Sequence, residues 1–248
     1  MKVNTGIFSA ILLFLAATIV SAEGRYESEK KTVKYDNVNQ LDVSNVTGKI
    51  DITGWNQNYV EVTYLKKARD EEDLEDIGID IDRRDDVLYI VTDMPWRCRN
   101  CAVDYEISVP EKFKSIVAET VTGSVSIDNM KFVDEIAAKS TTGSINGDFG
   151  ARDIEADVVT GSIKLFIDNI PDDGRIEAET VTGSINVKVP GDFQADVDLS
   201  AVTGSVGTDF DMDRVELKKK NKLEARIGNG RIICNLSTVT GSIHLGAL

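Results

Sequence analysis

The chain has 248 residues, 28 basic against 42 acidic, a formal charge of −14 and a single histidine. That balance argues against nucleic acid or an anionic membrane face as the natural partner and suits cations, cationic peptides or a solubilising surface. The length is in the range of one domain with room for a sizeable core.

Lys2 followed by the apolar run Ile7 to Val20 and the small residues Val20-Ser21-Ala22 reads as a secretory leader, residues 1–22. The run is about 14 residues, short of the roughly 20 that span a bilayer, so cleavage near Glu23 is expected rather than anchoring. Lys2 is the leader's only charge, so the mature balance becomes 27 basic against 42 acidic residues. No second long apolar run occurs, and no transmembrane segment is expected in the mature chain. The remainder, 23–248, reads as a single domain, less regular over 40–115 and regular over 116–248.

In the less regular part, the run from Tyr59 to Tyr64 alternates as a strand. Residues 68–77 (ARDEEDLEDI) are acidic, with Leu74 and Ile77 at helical spacing, and predict a short surface helix. Ile79–Asp82 and Val87–Val91 flank Arg83-Arg84-Asp85-Asp86 as a hairpin, and Ala102 to Val109 forms a strand ended by Pro110. This region is expected to cap the N-terminal end of the regular part, where unpaired backbone would otherwise be exposed.

From Ile116 onward a repeat dominates. Thr-Gly-Ser followed by Ile or Val occurs six times, with glycines at Gly123, Gly143, Gly161, Gly183, Gly204 and Gly241. Weaker copies place two further bend glycines at Gly48 and Gly230. Counting backwards by twos from each motif Thr gives four slots that are mostly apolar: Ile116, Ala118, Thr120, Thr122; Ile136, Ala138, Ser140, Thr142; Ile176, Ala178, Thr180, Thr182. This is the period of a half-buried strand. The buried phase shifts by one across Thr-Gly, so the chain must bend there, and glycine suits the bend. Val121, Val159, Val181, Val202 and Val239 fall in the opposite phase, and the pattern leaves open whether they face in or out.

One strand–bend–strand unit cannot bury its apolar face alone. Stacked units can, with Ile over Ile at about 4.8 Å per coil. The predicted fold is therefore all-β, a β-helix-like solenoid of about 18–22-residue coils with a short helix and hairpin in the N-terminal cap. A repetitive β-sandwich is the alternative. Residues 241–248 run out on a strand pattern, which leaves self-association through a C-terminal strand edge open.

In order and multiplicity these features resemble a large bacterial family of unknown function catalogued under an adhesin label. Thr47-Gly48, the strand after Trp55, the acidic helix and hairpin, Ser108-Val109-Pro110 and the Thr-Gly-Ser series carry the resemblance. It implies a right-handed β-solenoid at the cell surface or in the periplasm, and it supplies no catalytic, metal or cofactor-binding residues.

Cys98-Arg99-Asn100-Cys101 is a C-x-x-C. In an exported chain a local structural disulfide is expected, against the alternatives of zinc or a redox pair. Cys234 occupies the slot of Ile176 and Ile154, a buried stand-in for Ile. The sharper alternative gathers Cys98, Cys101, Cys234 and His244 around zinc. No cofactor, metal or catalytic residue is assigned. The acidic groups Asp172-Asp173, Asp209/Asp211/Asp213 and Asp80/Asp82/Asp85/Asp86 read as solvated turns.

Three functions fit this sequence. The first is a non-enzymatic envelope or surface protein, an adhesin-like scaffold for a protein or glycan ligand. The second is an envelope-stress component that binds cationic peptides. The third is a carbohydrate-active β-helix enzyme, which needs a cleft where carboxylates and a basic residue converge and the ladder breaks.

Overall fold

The computed structural model describes residues 13–14, 27–98 and 100–248. The expected leader therefore lies outside the described residues except for β1 (Leu13–Phe14), which pairs with Lys31–Thr32. The described chain is all-β apart from one short helix. The N-terminal part holds β2 (Glu27–Asp36), β3 (Gln40–Thr47), β4 (Ile50–Trp55), β5 (Tyr59–Ala68), α1 (Glu71–Asp76), β6 (Gly78–Arg84), β7 (Val87–Asp93) and β8 (Ala102–Pro110). The repeat region holds β9 (Lys112–Thr122), β10 (Val125–Thr142), β11 (Ile145–Thr160), β12 (Ile163–Asn169), β13 (Arg175–Thr182) and β14 (Ile185–Val189). The last part holds β15 (Ala195–Thr208), β16 (Arg214–Lys219), β17 (Lys222–Ile227) and β18 (Ile232–Ala247).

Strand pairing builds two columns, one on each side of the Thr-Gly bend. The column before the bend runs β6–β7–β3–β9–β10–β11–β13–β18–β15–β17–β16. The column after it runs β2–β5–β8–β4–β10–β11–β12–β14–β18–β15. From β7–β8 to β15 every pairing is parallel, and antiparallel strands appear only beyond. Leu41, Ile116, Ile136, Ile154, Ile176, Cys234 and Val197 stack as one buried file. Each such aliphatic side chain contributes about 1.5–3 kcal/mol by leaving water. The helix is short and has no buried residue; Asp70 caps it by accepting from the Asp73 amide at 2.9 Å.

The bend glycines form a file of their own. Gly123, Gly143, Gly161, Gly183, Gly204 and Gly241 have φ between +147° and +156°, and Gly48 has +120°. A Cβ on Gly143 would drive into the Gly123 carbonyl oxygen, one on Gly161 into that of Gly143, and one on Gly183 into that of Gly161, all far inside 3.0 Å. Both the dihedral and the spacing exclude a side chain.

Three expectations need correction. Gly230 is not a bend glycine of the stack: with φ +65° it closes a tight turn with Gly228 (φ +59°). Its amide donates to Ile227 O at 3.3 Å. The preceding strand β17 pairs antiparallel with β15 and β16, so Leu223, Ala225 and Ile227 belong to a capping hairpin. The C-terminal strand is not an edge either. β18 lies between β13–β14 and β15, bonded on both sides, because the Gly183 amide donates to Thr240 O while Thr203 and Gly204 pair with Thr240 and Gly241. Self-association through that strand has no free backbone to use. Finally, the fourth slot is outward: the motif Thr is exposed at Thr122, Thr142, Thr160, Thr182, Thr203 and Thr240, so the phase change begins before the glycine.

Candidate functional site

The residue two before each motif Thr faces inward and carries a hydroxyl in most coils. Ser140 Oγ donates to Gly123 O at 2.9 Å, Thr180 Oγ1 to Gly161 O at 3.1 Å, and Thr238 Oγ1 to Gly183 O at 3.2 Å. Thr120 does the same to Gly48 O at 3.4 Å, and Asn45 Nδ2 donates to Val103 O at 2.8 Å. These buried polar groups each satisfy a carbonyl at the neighbouring bend, where the ladder is interrupted. Val158 stands in this slot and brings no side-chain donor.

On the outer side, the residues before the motif Thr residues form a row that is valine in all but one of the Thr-Gly-Ser coils. Val121, Val159, Val181, Val239 and Val202 are between 45% and 71% exposed, an unusual fate for so many aliphatic side chains in register. Thr141 interrupts the row at the Gly143 coil. Beside it runs a second row in the spatial order Ser44, Glu119, Lys139, Asp157, Glu179, Ser237, Ser200. Together they line a groove of about 730 Å³ that runs along the stack, across the strands.

The same coil breaks both rows. Among the described residues, Lys139 is the one cation lining the groove. Its Nζ lies 2.6 Å from Glu155 and 3.3 Å from Asp157. The hydrogen bond to Lys139 holds Glu155 below the usual carboxylate range, while burial raises Asp157. The lysine itself is raised by its bond to Glu155. The repeat alignment holds the signals for this groove: an opposite-phase valine, a hydroxyl two before the motif Thr, and one lysine in an acidic column.

Cys98 and Cys101 are joined as a disulfide with Cα atoms 5.8 Å apart. Asp73 lies beside them within 4.8 Å, but sulfurs tied to each other offer no thiolate to a metal. Cys234 is fully buried between Ile176 and Val197, and burial pushes its thiol up to about 12. It sits near the far end of the stack from Cys98, so the four-residue zinc cluster does not assemble. His244 faces outward, 3.2 Å from Asp209. Gly48, Gly123, Gly143, Gly161, Gly183, Gly241 and Gly204 stack on one another in that order, just beyond the motif Thr residues.

The sequence matches the Toastrack DUF4097 family over residues 32–246. The chain belongs to that family. A "putative cell adhesion protein" of Clostridium sporogenes ATCC 15579 is similar in structure, with a TM-score of 0.52 at 15% identity over 90% of this chain and all (100%) of that one. At that identity the likeness speaks for the fold alone. A "putative adhesin" of Bacteroides fragilis NCTC 9343 is 14% identical over 88% of this chain and 97% of its own, with a TM-score of 0.41. Among curated proteins, none matches. No helix among the described residues is long and apolar enough to cross a membrane.

Proposed function

We propose that this Toastrack chain is an exported, non-enzymatic protein of the bacterial cell envelope or surface, an adhesin-like scaffold that binds a protein or glycan along the valine-lined groove. The exposed valine row carries the reading, because a solubilising surface gains nothing from an aliphatic file held in register over successive coils. A structural Cys98–Cys101 bond fits an oxidising compartment, as does the leader-like sequence 1–22. The parallel columns fit a right-handed coil of about 18–22 residues closed by the N-terminal helix and hairpin. Glu119, Asp157 and Glu179 favour a cationic ligand over an anionic one.

Fractionation of cells expressing the tagged full chain tests export: recovery in the envelope or outside the cell supports it, and retention in the cytoplasm sinks it. Binding of the purified protein to envelope preparations tests the groove. Val159→Lys with Val181→Lys should weaken it at least about tenfold, equivalent to 1.4 kcal/mol, with the thermal transition unchanged. Unaltered binding would mean that the groove is not the contact surface.

One observation favours a second reading. Glu155 and Asp157, with acidities pushed in opposite directions beside Lys139, are the kind of pair a carbohydrate-active enzyme uses. Release of reducing ends from envelope polysaccharide, lost in Asp157→Asn, would establish it. No release by the wild-type protein would dismiss it.

A further inference from the structure

The two ends of the stack carry opposite charge. At the first end, residues 70–86, covering α1 and β6, hold ten acidic against two basic residues. At the other, residues 214–226, covering β16 and β17, hold six basic against two acidic ones. In a chain of net charge −14, that second segment is a marked local reversal.

The charges are also free to act. Glu71, Glu72, Glu75, Asp76 and Asp80 are exposed and make no ion pair among the described residues. Lys218, Lys219 and Lys220 are exposed at the tip of the other hairpin and likewise make none among the described residues. Arg214, Lys222 and Arg226 are engaged locally, with Glu216, Glu224 and Asp196. β6 and β16 are the outermost strands of the same column. Ten strand spacings separate them, roughly 48 Å at about 4.8 Å each. At the acidic end α1 packs against β2 and β5, so that end covers both columns. At the far end Asp209 donates its amide to Leu245 O, whereas Asp213 sits on the hairpin, its amide donating to Arg226 O and its carboxylate accepting from the Gly228 amide. The opposed poles therefore lie at opposite ends of the stack.

Edge lysines are ordinary protection against strand pairing, and the irregularity between Val215 and Leu217 in β16 serves the same purpose. Protection explains charge at each end; it does not require opposite signs. An acidic pole and a basic pole at opposite ends of one rod are complementary to each other when two copies align in the same direction. We propose that copies of this chain associate head to tail, the lysine hairpin of one against the acidic α1–β6 end of the next. The contact joins charged faces rather than extending the sheet, and being heterologous it can repeat. It goes beyond the groove reading and does not depend on it.

Sedimentation velocity of the purified protein tests this across a concentration series at about 0.01 M and about 0.5 M salt, bracketing strong and weak screening. Mass should grow with concentration at low salt without stopping at two copies, and return to monomer at high salt. The triple variant Lys218→Glu, Lys219→Glu, Lys220→Glu should associate at least about tenfold more weakly. Glu72→Lys, Glu75→Lys, Asp76→Lys should do the same, and an equimolar mixture of the two should recover association. Circular dichroism melts of each variant establish that it is folded. A wild-type monomer at low salt, a closed dimer, unaffected triple variants or a mixture that stays monomeric would each overturn the proposal. So would lysine-dependent binding to anionic vesicles by a protein that remains monomeric.

Discussion

Between Gly123 and Gly183 each coil lies on the one before it in sequence, whereas at both ends a coil is inserted out of order. β3–β4 enters between β7–β8 and β9–β10, and β18 enters between β13–β14 and β15. The middle is therefore assembled from contacts about one coil apart, while each end is closed by a segment distant in the chain. A stack built only by local addition would leave a fraying last coil. Here the last strand of the chain is an interior rung, and three of the four outer positions go to antiparallel strands, β2, β6 and β16, the fourth being β15.

The largest effect that could break this contrast is loss of β18. Deleting residues 232–248 removes a rung with partners on both sides, and the remainder should show no cooperative thermal transition. A protein that melts normally after the deletion would mean β18 is peripheral. Next come the bend glycines. Gly161→Ala forces a Cβ against the Gly143 carbonyl at φ +147° and should cost about 3–5 kcal/mol in chemical denaturation. Gly191→Ala, with nothing within 4 Å, should stay within about 0.5 kcal/mol.

The ends also differ from the middle in buried titratable groups. Tyr105, on β8, is buried with its hydroxyl 2.7 Å from Thr92, and burial pushes it up to about 12 from an ordinary value near 10. Cys234, on β18, rises to about 12 from 9.0. Raised folded values mean the stabilisation is complete below the unfolded values and is lost as pH rises through the folded ones. Stability should therefore fall from about pH 9 toward pH 12, by roughly 1.4 kcal/mol for each group and each tenfold weakening of its acidity on folding. Tyr105→Phe should flatten part of that decline, and an unchanged profile would contradict the assignment. The smallest effect belongs to the hydroxyl file: Thr180→Val should cost about 1 kcal/mol by leaving Gly161 O without its side-chain donor. Val158→Thr should recover a similar amount.

Much of the middle is readable from the sequence because Thr-Gly-Ser marks a place where only glycine fits and the Ile–Ala–Thr slots have the strand period. The ends are not, since a period-2 pattern does not record strand direction. Leu223, Ala225 and Ile227 alternate as well in an antiparallel hairpin as in a coil, and Asn229-Gly230 is equally a turn. The order of rungs is invisible for a related reason: the coils around Gly183, Gly204 and Gly241 present nearly identical faces, so composition cannot choose which stacks on which. The groove falls between these cases. Its valines are visible in the alignment and face outward by the same alternation that buries Thr180 and Ala178, whereas the exposure of the motif Thr next to them breaks that alternation and is not.

The order of the last three rungs can be read directly from paired cysteines on the outer face. Glu179 lies beside Ser237, and Ser237 beside Ser200. Neighbouring positions fall within disulfide reach, while 179 and 200 are two strands apart, roughly 9.6 Å. Mass spectrometry after mild oxidation should find the crosslink in Glu179→Cys/Ser237→Cys and in Ser200→Cys/Ser237→Cys, and none in Glu179→Cys/Ser200→Cys. A crosslink between 179 and 200, with none to 237, would show that the coils follow chain order and that the inserted C-terminal rung is wrong.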